Sequence, residues 1–183
     1  MILLVDLCYE KGSLSRYEFV HPIKRILERS GHPAEALHIT DLEGADLDRY
    51  DRAILCGTAL QDNAYASHPD QFLWLKGWKR PILGICAGMQ VIGSLFGGRI
   101  VPDLAIGLER IEIVACSPLL GGPGSIEGYH LHRFCVTLPE GFMLLAGTPE
   151  RPQAFLHRDL PVYGVLFHPE VRCRFIIERF AVL

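Results

Sequence analysis

Short, continuously apolar segments alternate with segments of helical periodicity through the first hundred residues of the chain. A short apolar run is typical of a strand buried on both faces, as in parallel sheets covered by helices. The alternation predicts an α/β fold, a three-layer, doubly wound, mostly parallel sheet of the flavodoxin or Rossmann type. Its predicted strands are Met1–Leu7, Ala36–Ile39, Arg52–Cys56 and Pro81–Ile85, and its predicted helices are Tyr17–Ser30, Phe72–Trp78 and Gly88–Phe96.

The pattern changes after Gly97-Gly98, where short β-type runs are separated by glycine and proline turns. These runs predict a small antiparallel extension of the sheet, and the amphipathic segment Val171–Val182 predicts a closing helix. No internal repeat or linker divides the chain, so we expect a single domain over residues 1–183. The β-type runs are Leu108–Ala115, Arg133–Leu138, Met143–Ala146 and Val162–Phe167.

Composition excludes several classes of protein. With 49% hydrophobic residues, 21% charged residues and a net charge of -3, the 183 residues are neither disordered nor a basic nucleic-acid-binding surface. No apolar run is long enough to span a membrane, so we expect a cytoplasmic protein without membrane or nucleic-acid partners. The six cysteines are scattered without a CxxC pair, which argues against disulfides and a structural zinc site.

One cysteine lies in a setting suited to chemistry. Gly84-Ile85-Cys86-Ala87-Gly88 has the spacing of a nucleophile elbow, a sharp strand-to-helix turn that requires small residues on both sides of the nucleophile. Such a turn exposes the side chain of Cys86 at the N-terminus of the next helix, where the macrodipole favours a thiolate. Alone this pattern is weak, because most buried cysteines serve packing.

A possible base and its orienting acid lie near the other end of the chain. The apolar run Tyr163–Phe167 leads into His168-Pro169-Glu170, and the proline keeps His168 extended. His168 and Glu170 then lie on the same side of the chain, so the carboxylate can orient the imidazole as the acid of a triad does. In isolation a surface turn is the simpler interpretation. Together with the elbow cysteine, a Cys-His-Glu triad is preferred.

Two blocks of the sequence resemble the signatures of class I, triad-type glutamine amidotransferases. The blocks are Pro81–Gln90 (PILGICAGMQ) and Tyr163–Val171 (YGVLFHPEV), and Phe96–Ile100 and Ser117–Leu120 are similar to further segments of that family. The resemblance implies that a cysteine attacks the side-chain amide of L-glutamine. The products would be ammonia and a γ-glutamyl thioester, which water then hydrolyses to glutamate.

The resemblance assigns roles to residues at matching positions. Cys86 would be the nucleophile, His168 the base and later the acid, and Glu170 the residue that orients His168. Gln90 matches a position that contacts bound glutamine. The backbone N–H of Ala87 would form half of the oxyanion hole.

The second half of the oxyanion hole departs from the family pattern. Where the family has Ser-Gly-Gly-Pro, this chain has Cys56-Gly57-Thr58-Ala59, so Gly57 is retained but Thr58 replaces the second glycine. Either the Thr58 N–H is the donor or the loop rearranges, for example when a partner docks. A similar string, Gly121–Ser125, follows the nucleophile and has no helix after it, so we interpret it as a plain turn.

His130-Leu131-His132 has alternate spacing that could suit a metal, but no third ligand is evident and we predict no metal site. The segment resembles the part of the family whose backbone holds the α-amino and α-carboxylate groups of glutamine. Those backbone groups would belong to Leu131 and His132, although the middle position is usually small or polar.

The chain contains no phosphate-binding loop or other nucleotide fingerprint, and we predict no cofactor. We therefore expect it to supply ammonia to a separate synthetase subunit. Within the family, the two blocks are most similar to the amidotransferase subunit of GMP synthase, but the loop at residues 56–60 and the lack of a Trp-x-Ser-His-x-Asp stretch differ. Two alternatives remain: a hydrolase of other γ-glutamyl amides, and a catalytically silent regulatory subunit, which the intact triad disfavours.

Overall fold

The computed structural model describes residues 1–183 and contains one nine-stranded mixed sheet. The strand order is β2-β1-β3-β4-β9-β8-β7-β5-β6. The strands are β1 (Ile2–Asp6), β2 (Ala34–His38), β3 (Arg52–Leu55), β4 (Ile82–Ile85), β5 (Ile100–Ile113), β6 (Gly124–Val136), β7 (Phe142–Gly147), β8 (Pro152–His157) and β9 (Val162–Val165). The helices are α1 (Ser15–Phe19), α2 (His21–Arg29), α3 (Trp74–Gly77), α4 (Ala87–Leu95) and α5 (Phe175–Phe180), with short 3₁₀ turns at Ile39–Asp41, Leu47–Arg49, Ala64–Ser67 and Pro69–Phe72.

Five strands, β2, β1, β3, β4 and β9, are parallel and adjacent. All residues of β1, β4 and β9 are buried, which explains their continuous apolar sequences. In such sheets, functional groups collect outside the carboxyl ends of the strands. Here Gly57 follows β3, Cys86 follows β4 and His168 follows β9, so the three residues lie at the same edge.

Helices cover both faces of the parallel strands. One core cluster joins α2 and α5 to one face of β1 and β3, through residues such as Ile23, Ile176 and Ile54. A second cluster joins α3 and α4 to the opposite face, through residues such as Leu75 and Met89. The three-layer α/β fold class predicted from the sequence is confirmed.

The antiparallel part of the sheet is larger than the sequence suggested. Four of the nine strands, β8, β7, β5 and β6, are antiparallel, and β5 and β6 form a hairpin with strands of 14 and 13 residues. Exposed and buried positions are interspersed along β5, so it lacks a continuous apolar run. Pro152–His157, which forms β8, was not predicted because its proline, glutamine and histidine obscure the strand pattern.

Two predicted helices have different limits in the structure. The segment predicted as one helix from Tyr17 to Ser30 is divided into α1 and α2 around Val20. Pro22 explains the break, because proline lacks an N–H and its ring clashes with the carbonyl four residues earlier. The last helix starts only at Phe175, because residues 168–171 form a turn closed by the Val171 N–H and the His168 carbonyl. None of the helices has the length and apolar character that crossing a membrane requires.

Candidate active site

The turn between β4 and α4 places Cys86 in an unusual backbone conformation. Cys86 has φ 51° and ψ -105°, and it is the one non-glycine residue of the chain with positive φ. Strained backbone of this kind persists only where the surroundings enforce it, and it is concentrated at functional sites. The turn has the strand-to-helix geometry of a nucleophile elbow.

The flanking glycines are required by close backbone packing. A Cβ on Gly84 would lie 2.5 Å from the carbonyl group of Gly88, and a Cβ on Gly88 would collide with the carbonyl oxygen of Leu55. Any side chain at these positions would therefore displace the turn. The spacing recognised in the sequence reflects a steric requirement of this fold.

The thiol of Cys86 lies at the N-terminus of α4, where the first backbone N–H groups have no partner within the helix. That end of the helix stabilises negative charge. Cys86 Sγ is also 3.7 Å from the carbonyl oxygen of Leu131 on β6. The antiparallel hairpin thus reaches the nucleophile even though β6 is the edge strand of the sheet.

His168 and Glu170 form a buried pair beside the elbow. Nδ1 of His168 is 2.8 Å from Oε1 of Glu170. The expected extended His-Pro-Glu segment is instead a turn, closed by the Val171 N–H and the His168 carbonyl, and this turn brings the two side chains together. Because a carboxylate only accepts, Nδ1 carries the proton and Nε2 holds the free lone pair. Nε2 is buried and has no hydrogen-bond partner. The main-chain N–H of His168 donates to the carbonyl of Tyr129 at 2.8 Å, which fixes the segment against β6.

Gly57 makes room for Cys86 and His168 to approach each other. A Cβ at this position would lie 2.7 Å from Cε1 of His168 and 3.5 Å from Cβ of Cys86. Because Gly57 has no side chain, Cys86 and His168 can both pack against its backbone. The structure brings together all three members of the sequence-predicted triad, while their catalytic roles remain predictions.

The electrostatics of the site favour a charged imidazole. Burial of His168 lowers its pKa, but the negative charges of Glu170 and of ionised Cys86 outweigh burial and hold the pKa well above its usual value. His168 is therefore suited to take up a proton at Nε2 and to hold it beside Glu170. An imidazolium in this position can later give that proton to a leaving group.

The loop after β3 is organised by Asp62, which sequence reasoning did not single out. Its carboxylate accepts hydrogen bonds from the hydroxyl of Thr58, from the N–H of Tyr9 at 2.6 Å and from the N–H of Ala64 at 3.1 Å. The hydroxyl of Thr58 is thereby occupied by Asp62, while the Thr58 backbone N–H makes no hydrogen bond. Positive φ is absent at Thr58, so a β-branched side chain is accommodated without strain where the family has glycine.

Gln90 lies on the first turns of α4 and is buried beside Cys86. Its Oε1 accepts from the hydroxyl of Tyr65 at 2.6 Å, and its Nε2 donates to the carbonyl of Phe134 at 2.8 Å. Gln90 therefore links α4 to β6, and Tyr65 fixes which way its amide points. The sequence offered no signal for Tyr65, because it belongs to a short 3₁₀ turn in a polar segment.

The two histidines of β6 form a hydrogen-bonded chain rather than an evident metal site. Nδ1 of His130 is 3.0 Å from Nε2 of His132, whose Nδ1 donates to the carbonyl of Asp103 at 2.8 Å. Burial lowers the pKa of each histidine to about 4, so both are neutral at physiological pH. The side chain of His132 is thus already bonded, and only its backbone and that of Leu131 are free for the role expected from the sequence.

These residues line a narrow, partly open cavity of about 10 Å³ at the nucleophile, the space of about one water molecule. Arg133 also lines this cavity, and its guanidinium donates to Oε1 of Gln61 at 2.8 Å, joining β6 to the loop after β3. The sequence did not identify Arg133 as a site residue. The cavity is lined by Thr58, Ala59, Leu60, Asp62, Asn63, Tyr65, Cys86, Ala87, Gln90, Leu131, His132, Arg133 and Phe134.

Comparison with known proteins gives a consistent result. A family model described as glutamine amidotransferase class-I matches residues 16–175. The chain is 30% identical to one subunit of the glutamine-hydrolysing GMP synthase of Methanopyrus kandleri, over 94% of this chain and 90% of the relative. It is 32% identical to the corresponding subunit of Ignicoccus hospitalis, over 85% of each.

The solved structures agree. The crystal structure of a putative GMP synthase subunit from Thermoplasma acidophilum has a TM-score of 0.85 at 27% identity, covering 99% of this chain and 92% of that one. A glutamine amidotransferase from Thermotoga maritima has the same fold, with a TM-score of 0.70 at 20% identity, covering 97% of this chain and 79% of that one.

Proposed function

The chain belongs to the class I glutamine amidotransferase family, and we propose that its Cys86, His168 and Glu170 hydrolyse L-glutamine and supply ammonia to a separate synthetase. The observation that carries this proposal is the geometry at the elbow. Strained Cys86 lies beside His168, and Nδ1 of His168 is held by Glu170. A regulatory subunit without catalytic activity would have no physical need for a strained cysteine beside a histidine–glutamate pair.

The first half of the reaction follows from this arrangement. Nε2 of His168 takes the proton of Cys86, and the sulfur attacks the amide carbon of the glutamine side chain. The tetrahedral intermediate then collapses as its carbon–nitrogen bond breaks. His168 returns the proton to the departing nitrogen, which leaves as ammonia, and a γ-glutamyl thioester remains on Cys86.

The negative oxygen of the intermediate needs two donors. The N–H of Ala87 is at the start of α4, next to the nucleophile, and the N–H of Thr58 makes no other hydrogen bond. Asp62 supports this role indirectly, because it holds the Thr58 side chain and leaves the Thr58 N–H free. The role of Gly57 would be to leave room for Cys86 and His168, and its N–H would not be one of the two donors.

The second half uses the same groups in reverse. His168, now neutral, accepts a proton from a water molecule that attacks the thioester, and the sulfur leaves as a thiolate stabilised by the N-terminus of α4. The carboxylate of Glu170 holds the imidazole in one tautomer through both steps. Glutamate is then released.

The narrow cavity implies that binding requires an opening movement. About 10 Å³ cannot contain glutamine, and the Arg133–Gln61 hydrogen bond ties the two sides of the cavity together. The loop containing Thr58 therefore moves away from β6 as the substrate enters. A docked synthetase would favour the open form only by binding it more tightly than the closed one.

The acceptor we propose is the nucleotide that becomes GMP. Two relatives that match most of the chain are subunits of GMP synthase, and the solved structure with a TM-score of 0.85 is a putative subunit of the same kind. The partner would be the ATP-dependent subunit that completes such a synthase. L-Glutamine is the substrate, and none of the chemistry above requires a cofactor.

A coupled labelling assay tests the proposed function. The purified chain is mixed with the synthetase subunit, its nucleotide substrate, ATP and L-glutamine labelled with ¹⁵N in the amide. We expect ¹⁵N in GMP, and ammonia release about tenfold or more above that of the chain alone, because partner binding shifts the population toward the open form.

Ammonium chloride replaces glutamine as the control, since the synthetase should then form GMP without this chain. The absence of label in GMP, combined with rapid cleavage of other γ-glutamyl amides by the isolated chain, would contradict the proposal. That result would favour an independent γ-glutamyl amide hydrolase.

A further inference from the structure

We propose that Arg133 adds an ion pair to the backbone groups of Leu131 and His132 expected at the α-carboxylate of the substrate, and that it exchanges its present partner, Gln61, for that carboxylate when glutamine enters. This inference rests on the proposed function, because it assigns the site that selects an amino-acid substrate over a simple amide. Arg133 is on β6, two residues beyond Leu131, whose carbonyl contacts Cys86.

The position of Arg133 fits the length of glutamine. Leu131 and Arg133 are about 7 Å apart along the strand, because each residue advances it by about 3.3 Å. In extended glutamine the amide carbon and the α-carboxylate carbon are about 5 Å apart. A substrate that lies along β6 with its amide at Cys86 can therefore place its carboxylate beside Arg133.

An irregularity in the hairpin lies opposite Arg133. The register of β5 against β6 shifts between Pro102 and Ala105, where β5 has two residues facing the single position of Arg133. Bulges of this kind re-aim side chains and are common beside active sites. The bulge thus lies beside the position at which Arg133 lines the cavity at the nucleophile.

Arg133 is the one positively charged residue among those that line the cavity. His132, the other basic residue of the lining, is neutral because burial lowers its pKa to about 4. Arg133 has no carboxylate partner, whereas the neighbouring Arg151 is paired with buried Asp103. A guanidinium without a counter-ion at a substrate cavity is suited to a carboxylate, which it can bind through two parallel hydrogen bonds.

The contact with Gln61 is the kind that a substrate can replace. Nη1 of Arg133 donates to the neutral amide oxygen Oε1 of Gln61 at 2.8 Å, and both side chains are exposed. A carboxylate oxygen accepts a stronger, charge-assisted hydrogen bond from the same donor. Substrate binding would then release the loop that carries Gln61, which couples opening of the cavity to recognition of the α-carboxylate.

The test compares Arg133→Met with Gln61→Ala. Dissociation constants for L-glutamine are measured calorimetrically in the Cys86→Ala background, so that binding is observed without turnover. We expect Arg133→Met to weaken binding by about 10- to 100-fold, the effect of losing a charge-assisted hydrogen bond. Gln61→Ala should change binding by less than about threefold, or strengthen it, because it removes only the competing acceptor.

Kinetics with the unmodified nucleophile give a second readout. Arg133→Met should raise KM for L-glutamine with little change in kcat, since the contact is equal in ground and transition states. On 4-aminobutanamide, which lacks the α-carboxylate, Arg133→Met and the wild-type chain should have the same kcat/KM.

Equal losses from Gln61→Ala and Arg133→Met would show that Arg133 only holds the loop, and would overturn the inference. An unchanged dissociation constant in Arg133→Met would overturn it as well. Both outcomes are compatible with glutamine hydrolysis by Cys86. Failure of the proposed function would be different: the wild-type chain would bind glutamine but yield no labelled GMP.

Discussion

Replacing Cys86 with alanine is expected to lower the rate of glutamine hydrolysis by about 10⁴-fold or more, because the sulfur forms the covalent bond to the substrate. The remaining groups of the site can still bind glutamine and polarise its amide. Ammonia release from L-glutamine, measured in the presence of the synthetase subunit, provides the readout. GMP formation from ammonium chloride should be unaffected in the same mixture.

Cys116→Ala is the matched control for this experiment. Cys116 is the one exposed cysteine of the chain, and it is separate from the cavity at the elbow. Its replacement should leave ammonia release within about twofold of the wild-type rate, as is usual for surface substitutions. Substantial turnover by Cys86→Ala, with thermal unfolding like that of the wild type, would contradict the proposed mechanism.

Glu170→Gln is expected to lower kcat by about 10² to 10⁴-fold, as loss of the orienting acid does in other triads. The substitution preserves the shape of the side chain but removes its charge. Since Glu170 raises the pKa of His168, that pKa should be lower in the variant. The imidazolium would then lose its proton at lower pH, so the alkaline limb of the pH–rate profile should move to lower pH.

The sign of this interaction also predicts a stability effect. A histidine whose folded pKa is raised contributes stability that is fully present below about pH 6.5, its usual value, and lost as the pH rises through the folded pKa.

Glu43→Gln, an exposed site remote from the triad, is the control for the pH–rate profile of Glu170→Gln. An unchanged pH–rate profile in Glu170→Gln would show that Glu170 does not act through His168.

The parallel half of the fold was predictable because its determinants are local. Buried strands such as Ile2–Asp6 and Ile82–Ile85 are continuously apolar, and the glycines at 84 and 88 are required by the turn that they flank. His168 and Glu170 were identified for the same reason. They are two residues apart, so their contact depends on little beyond that segment, although the segment is a turn and not the extended chain that the sequence analysis expected.

The contacts that complete the site depend on distant parts of the chain. Gln61 and Arg133 are 72 residues apart, and Tyr65 and Gln90 are 25 apart. No sequence pattern relates such residues until the hairpin of β5 and β6 and the loop after β3 are placed beside α4. The hairpin itself was underestimated, because its exposed positions interrupt the apolar pattern that signals a strand.

The role of Asp62 also depends on a contact with a distant part of the chain. Its spacing from Thr58 is local, but its effect on the oxyanion loop became evident only with the hydrogen bond from Tyr9, which follows β1. The departure from the family at Thr58 was apparent in the sequence. The structure adds that the threonine side chain is held by Asp62 and that its backbone needs no glycine conformation.

Trapping the covalent intermediate tests the central claim most directly. The chain, with its synthetase subunit, is mixed with L-glutamine, quenched in acid during turnover and analysed by peptide mass spectrometry. The mechanism predicts a γ-glutamyl group on the peptide that contains Cys86, and on none of the other five cysteines. Ammonia release without an adduct on Cys86, or with one on Cys8 or Cys56 instead, would contradict it.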